Sequence, residues 1–364
     1  MNFNEQIMSQ CIELARLSEG YVSPNPLVGS IVMDKNGNIA GKGWHKKYGE
    51  AHAEVNAIAE AGDEACNDGT IFVSLEPCSH YGKTPPCADL IISKGFKKVI
   101  VGMIDPNPKV AGDGVKKLID SGIEVITGIF ETECQKLNEI FIKHILEKKP
   151  FISIKTASTL DGKIAARTGS SKWITSDSAR EEVQRLRNKY DAILTGSGTI
   201  IADNPSLTAR IENGRNPVRV IIDSKLRTSP DSKAYINDGT KVIIATTEDQ
   251  IKEKAHLFAE NIEFLACPLT QENMLNLNFL TAELYKKGIY SILVEAGGHL
   301  NGGFIKDGLV DKIYFFVAPK ILGDNSGFSI IDGFNTTDIN KSIKINFGEI
   351  HKFSPDIMIE GYLK

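Results

Sequence analysis

The chain has 364 residues, with 42 Lys+Arg against 46 Asp+Glu and a formal net charge of −4, which excludes a general electrostatic pull toward nucleic acid though not a local basic patch. A hydrophobic fraction of 41% with 24% charged residues belongs to a folded globular chain and excludes disorder, collagen-like repeats and a disulfide scaffold. No apolar stretch approaches the ~18 residues that a membrane span needs, and at about 150 residues per domain the length suggests two domains.

The first residues, Met1 to Gln6, carry neither a basic n-region nor an apolar h-region, so no secretory signal is read. A cytoplasmic chain is expected, and its six cysteines should be reduced. Ile7, Cys11, Leu14 and Leu17 predict an amphipathic helix over 4–18. An apolar run from Val28 to Met33 ends in Asp34-Lys35-Asn36-Gly37-Asn38, a hairpin signal. A helix follows from Ala51 to Ala61, then a strand from Thr70 to Leu75. A short helix is expected through Asp89 to Ser93, a strand from Lys98 to Ile104, a helix from Val115 to Ser121 and a strand from Glu124 to Gly128. Such alternation means a layered α/β sheet with helices on both faces. One further helix is expected over 131–149. Its charged end, Glu147-Lys148-Lys149-Pro150, makes a domain boundary, giving domains 1–148 and 149–364. Beyond it, strands are expected at 151–156, 191–195, 218–223, 241–246, 262–266, 289–295 and 312–318, with helices at 176–189, 272–287 and 301–308.

Three pieces of the first half carry chemistry: His52-Ala53-Glu54, Pro77-Cys78 and Cys87. One imidazole and two thiolates are three borderline-to-soft ligands, which leave a tetrahedral Zn²⁺ with one open position, the catalytic rather than the structural arrangement. Zinc brings the pKa of water near 7. Glu54, two residues from His52, is a proton carrier rather than a ligand. Cys87 opens a helix after Pro85-Pro86, and a helix N-terminus favours thiolate. The pattern is the His-x-Glu…Pro-Cys-x-x-Cys signature of zinc deaminases, except that eight residues separate the cysteines instead of two.

The segment from Cys78 to Cys87, together with Pro24-Asn25-Pro26-Leu27-Val28-Gly29, resembles the deaminase half of the bifunctional riboflavin-pathway deaminase–reductase family. In that family the wide cysteine spacing is usual. The resemblance implies a cytidine-deaminase-like three-layer α/β/α domain acting on 2,5-diamino-6-ribosylamino-4(3H)-pyrimidinone 5′-phosphate, whose 2-amino group leaves as ammonia. Asn25, in its Pro-Asn-Pro turn, is a candidate for the pyrimidine edge or a simple backbone cap. His45, His80 and Lys83 are further candidate contacts or solvated loop residues.

In the second half, Leu160-Asp161-Gly162-Lys163, Trp173-Ile174-Thr175-Ser176, Asp203-Asn204-Pro205, Leu207-Thr208-Ala209-Arg210 and Glu295-Ala296-Gly297-Gly298 are similar to the reductase domain of the same family. That domain has a dihydrofolate-reductase-like α/β fold. The resemblance implies NADPH at Ala157, Trp173, Thr199, Asp203, Ser224 and the loop Gly297, Gly298, His299, Leu300, Asn301, Gly302 and Gly303. It implies substrate at Ser171, Arg187, Leu207, Arg210 and Glu295. A glycine-rich turn between strand and helix is able to cradle phosphate, but a tight structural turn accounts for the glycines equally well, and Gly-x-Gly-x-x-Gly is absent. Arg187 and Arg210 offer bidentate forks for a phosphate. Lys155, Asp203 and Glu295 are the candidate proton donors for reduction of the ribosyl group, and sequence does not rank them. The expected partners are a phosphorylated pyrimidine and a second copy of the chain, with no nucleic acid or membrane. The competing reading keeps the zinc chemistry and replaces the substrate by a tRNA or other nucleic-acid base, with an accessory ligand-binding domain.

Overall fold

Glycines decide how closely helices approach the first sheet. In the computed structural model, which describes residues 1–81, 85–108 and 110–363, the chain divides into units Met1–Lys148 and Lys149–Lys364. The first unit runs α1 (Phe3–Arg16), β1 (Gly29–Met33), β2 (Ile39–Trp44), α2 (Ala53–Ala61), α3 (Asp63–Cys66), β3 (Thr70–Leu75), α4 (Cys87–Ser93), β4 (Lys98–Met103), α5 (Asp113–Asp120), β5 (Glu124–Ile126), α6 (Glu131–Leu137) and α7 (Glu139–Glu147). Its sheet has the order β2-β1-β3-β4-β5. β1 is antiparallel to β2 and β3, whereas β3, β4 and β5 are parallel. A Cβ on Gly29 would stand 1.9 Å from the Cys11 carbonyl of α1, and one on Gly43 would stand 2.3 Å from the Ala53 carbonyl of α2. These two glycines let one helix settle on each face, and Gly43 in particular seats the helix that His52 opens. The Asn56 amide of α2 donates to the Trp44 carbonyl at 2.8 Å and ties helix to strand.

The expected helix over 131–149 is two helices. Asn138 leaves helical geometry at φ −104°, ψ 18°. Its buried amide accepts from Leu27 N at 2.8 Å and donates to Leu27 O at 3.0 Å. Asparagine competes for backbone partners where a helix would need none, and here the partner lies 111 residues away, beyond the reach of local periodicity.

The second unit runs β6 (Phe151–Thr159), β7 (Lys163–Ala165), α8 (Asp177–Lys189), β8 (Ala192–Gly196), α9 (Ser197–Asp203), β9 (Val218–Ile222), β10 (Val242–Thr246), α10 (Glu248–Lys254), β11 (Ile262–Ala266), α11 (Leu277–Lys286), β12 (Ser291–Val294), α12 (Gly298–Lys306), β13 (Lys312–Ala318), β14 (Phe328–Ser329), β15 (Asn346–Phe353) and β16 (Asp356–Tyr362). The nine-stranded sheet has the order β11-β10-β9-β8-β12-β6-β13-β16-β15. It is parallel from β11 through β13, and β16 and β15 join antiparallel. Its parallel strands are continuous apolar runs such as Val242–Thr246, buried throughout, as sheets covered on both faces require. The helices α9 and α10 and the hairpin β15–β16 were not expected from sequence. Phe347 and Ile350 of β15 are exposed, so this edge strand shows no inward–outward alternation to read. Among the described residues, no helix is long and apolar enough to cross a membrane.

Candidate active sites

In the first unit, three separate chain segments converge on one imidazole. His52 is the N-cap of α2, Cys78 follows β3 and Cys87 is the first residue of α4. Their ligand atoms lie within 4.8 Å of one another. Cys87 Sγ is 3.3 Å and Cys78 Sγ 3.7 Å from His52 Nδ1, and the Cys87 N–H points at Cys78 Sγ from 3.3 Å. The Cys78 thiol is held down at about 4, first by its hydrogen bond with Cys87 and then by His52, against burial. Cys87 is pushed up in return by the Cys78 sulfur and by burial. A nitrogen with two sulfurs is a donor set of borderline softness that fits zinc.

Glu54 sits one helical step inside α2, 3% exposed. Burial, reinforced by the negative Cys78 sulfur, pushes its carboxyl up to about 7. A carboxyl titrating there is matched to taking and returning a proton at neutral pH. Asn25 lies in the turn held by Asn138, and its Nδ2 is 3.2 Å from His45 Nε2. The His45 Nδ1 lies 3.1 Å from the Ala51 carbonyl, which only accepts. Nδ1 therefore carries the proton, and Nε2 accepts from Asn25. Burial pushes the His45 pKa down, consistent with this neutral ring. The His45 and His52 rings meet edge to face with centroids 5.6 Å apart, so the Asn25 turn stands beside the sulfur cluster. His80 is on the exposed loop after Cys78, and Lys83 lies outside the described residues.

In the second unit, the carboxyl ends of adjacent parallel strands gather the residues singled out from sequence. Ala157 lies on β6, Thr199 and Asp203 on α9 directly after β8, Ser224 just after β9, and Glu295 with Gly297–Gly303 after β12. The strands β9, β8, β12 and β6 are consecutive neighbours, so these residues share one edge, where open α/β sheets bind ligands. Gly198 and Gly297 have open space where a Cβ would stand, the kind of backbone a dinucleotide phosphate can approach. Gly298 and Gly302 are different. A Cβ on them would meet the carbonyls of Ser329 and Asp332 at 2.3 and 1.8 Å. They make room for the chain at 329–332, which the buried Asn301 amide also grips through Ile330 O at 2.9 Å. His299 is exposed and Leu300 is partly buried, near Gly196. Trp173 is 65% exposed, with the Arg180 guanidinium 4.5 Å over its ring; Ser171 is two residues before it.

Arg187 of α8 reaches Glu295 bidentately, Nε to Oε1 at 2.7 Å and Nη2 to Oε2 at 2.9 Å, and its Nη1 donates to Thr208 O at 3.1 Å. Its fork is therefore occupied by a carboxylate, where sequence reasoning offered it to a phosphate. Arg210 keeps an exposed guanidinium that donates to the Ser206 and Thr208 hydroxyls at 3.2 and 3.5 Å. Leu207, between them, is buried with φ +54°. Lys155 Nζ stands 3.8 Å from Glu295 Oε2. Burial alone would raise the Glu295 carboxyl, but Arg187, Lys155 and Arg210 hold it down at about 2. Burial pushes the Lys155 ammonium down, and Glu295 restores only part of that. Asp203 is exposed and pairs with Lys172 at 3.5 Å. Sequence reasoning did not find Asn138, because it lies in no reactive motif and its partner Leu27 is distant in the chain.

Residues 1–103 match the cytidine and deoxycytidylate deaminase zinc-binding region, and residues 150–359 match the RibD C-terminal domain. The riboflavin biosynthesis protein RibD of Bacillus amyloliquefaciens is 41% identical over 99% of this chain and 96% of its own length. The protein of that name from Escherichia coli K12 is 38% identical over 98% of each. Among solved structures, a diaminohydroxyphosphoribosylaminopyrimidine deaminase/5-amino-6-(5-phosphoribosylamino)uracil reductase of Thermotoga maritima is 38% identical, with a TM-score of 0.87 over 99% of both chains. Acinetobacter baumannii RibD, at 36% identity, gives 0.86 over 99% of both.

Proposed function

The chain belongs to the RibD family of riboflavin biosynthesis proteins, a family of bifunctional zinc-dependent deaminases and NADPH-dependent reductases, and we propose how its own residues divide the two reactions. The observation that carries the reading is the meeting of His52, Cys78 and Cys87 beside a buried carboxyl, in a chain matched along its whole length by RibD proteins. The nucleic-acid alternative is not favoured, since the second unit matches the RibD C-terminal domain.

In the first unit, His52, Cys78 and Cys87 would hold zinc. When bound, zinc supplies Lewis acidity that makes water a nucleophile near neutral pH. Glu54 takes a proton from the attacking water and returns one to the departing amine. Asn25, oriented by His45, addresses the edge of the pyrimidine of 2,5-diamino-6-ribosylamino-4(3H)-pyrimidinone 5′-phosphate, which loses its 2-amino group as ammonia.

In the second unit, Ala157, Trp173, Thr199, Asp203, Ser224 and the 297–303 turn hold NADPH, with Gly298 and Gly302 acting through the chain packed on them. Bound NADPH supplies hydride for C1′ of the ring-opened ribosyl imine. Ser171, Leu207, Arg210 and Glu295 face the substrate, and Arg187 serves by pinning Glu295. Of the three candidate proton donors, the reading favours Lys155. Glu295 is ionised at neutral pH, and Asp203 is solvent-facing and paired. Lys155 is enclosed and eased toward giving up its proton, so it protonates the imine nitrogen as C1′ is reduced. The product is 5-amino-6-(5-phospho-ribitylamino)uracil. The reading includes a homodimer or larger homo-oligomer joined through the second unit, and a cytoplasmic location.

Purified protein supplied with the diaminopyrimidine phosphate should release ammonia without NADPH, and should oxidise NADPH only once deamination has occurred. Absence of either signal overturns the corresponding half of the assignment. With Arg210→Ala, the Michaelis constant of the reductase for its phosphorylated substrate should rise at least tenfold, because a charge-assisted phosphate contact is lost, while ammonia release stays at the wild-type rate. An unchanged constant removes Arg210 from the phosphate site.

A further inference from the structure

Two residues before Cys78, Glu76 is 6% exposed. Its carboxylate accepts four backbone N–H groups. Oε1 takes Gly114 at 2.9 Å and Val115 at 3.1 Å, and Oε2 takes Gly112 at 3.0 Å and Asp105 at 3.1 Å. Three of these donors belong to the start of α5, where unsatisfied N–H groups and the helix dipole favour an anion. The Glu76 N–H meanwhile donates to Met103 O at 2.9 Å, which extends the β3–β4 pairing one residue past the end of β3. The chain then has no freedom to swing as it leaves the sheet. At Gly114 the missing Cβ admits the Pro77 carbonyl, which would lie 2.0 Å from a Cβ there. On the other side Cys78 is gripped by α4: Ala88 N–H donates to Cys78 O at 3.1 Å, and Cys87 N–H points at its sulfur. An ion pair between Asp89 of α4 and Lys117 of α5 joins the two helices.

We propose that Glu76 is a positioning residue that clamps the Glu76–Cys78 segment to the start of α5 and so holds the Cys78 sulfur at metal-binding distance from His52 and Cys87. The inference rests on the reading that these three residues hold zinc. A single side chain with four aligned acceptor sites removes the freedom of the two-residue link to Cys78. Zinc then meets a ligand already in place and must displace a restrained sulfur to leave, so the clamp acts on zinc release.

Glu76→Gln is the direct test. A carboxamide has one acceptor oxygen, which serves two of the four donors, and its NH₂ faces the other two. Zinc release from the full-length, zinc-loaded chain is timed with excess chromogenic chelator, alongside wild type and Leu118→Ala. The latter opens a cavity under α5, where Leu118 is fully buried, and leaves every Glu76 bond intact. The expected result is release at least tenfold faster in Glu76→Gln and within twofold of wild type in Leu118→Ala at comparable loss of thermal stability. Equal release from Glu76→Gln and wild type overturns the clamp, as does equal acceleration in both variants, which would make the effect one of general loosening. Should Glu76→Gln not accumulate as folded protein, Gly114→Ala displaces the same segment through the Pro77 carbonyl, and the same threshold decides. A wild-type chain without stoichiometric zinc overturns the zinc reading itself, whereas zinc retained equally by wild type and variant overturns only the clamp.

Discussion

Glu54→Gln is expected to lower the rate of ammonia release by about 10²–10⁴, the range lost with a general acid–base group, while the protein keeps one zinc per chain and its NADPH-dependent reduction. The substitution keeps the shape of the side chain and removes only its capacity to carry a proton. Its position makes the effect specific. His52 caps α2 and Glu54 lies in the first turn, so both side chains are aimed by one helix start, which Gly43 allows to press onto β2. Burial and the neighbouring Cys78 sulfur bring its carboxyl to about 7. It can therefore hold a proton between attack and departure, which an ordinary carboxyl near 4.3 does poorly at neutral pH. Metal analysis, an ammonia assay and NADPH oxidation on pre-deaminated substrate check the three parts separately. Deamination retained by the glutamine variant with zinc in place would show that another group moves the proton.

Arg187→Ala should have the largest effect in the second unit. Arg187 and Glu295 each have 11% of the side chain exposed, and truncating one partner leaves the other charge enclosed. The expected cost is about 3–5 kcal/mol. Glu295 then turns toward Lys155, a cationic neighbour at 3.8 Å, and reduction should be lost while deamination continues. Arg187→Lys should not rescue it, because an ammonium cannot make the two parallel bonds to Glu295. The double variant Arg187→Ala/Glu295→Gln should recover part of the stability without recovering reduction, since the unpaired carboxylate is gone while the Lys155 ammonium loses its carboxylate neighbour. Thermal unfolding and NADPH oxidation of the four proteins provide the check. Full reductase activity in Arg187→Ala would detach the pair from catalysis.

Several elements were legible because their cause is local. Apart from Ser74, Thr70–Leu75 is a run of apolar and β-branched residues, and the structure makes it a strand over those same residues. Ile7 and Cys11 mark the buried face of α1, although Leu17 falls beyond its end and is exposed. Asp34 turns the β1–β2 hairpin by accepting from the N–H groups of Asn36 and Asn38, both at 2.9 Å. The helix expected over 131–149 failed for the opposite reason. Its break serves Leu27, and nothing within a helical turn of Asn138 reports that need. The strand β15 is likewise defined by pairing with β16, which itself pairs with β13, and not by its own exposed side chains.

The same division runs through the sites. Residue type and spacing determined the chemistry on offer in the first half, a histidine, a glutamate and two cysteines in a deaminase pattern, and the reductase reading of the second half followed from the resemblance of its short segments to a known family. Those are properties of side chains and of short segments, which survive being read one after another. Only the tertiary structure decided that Arg187 spends its fork on Glu295, that Gly298 and Gly302 serve packing, and that Glu76 braces the segment leading to Cys78. Each of these depends on a partner from a distant part of the chain, and hydrogen bonds and close contacts act over a few ångströms of space irrespective of separation in sequence.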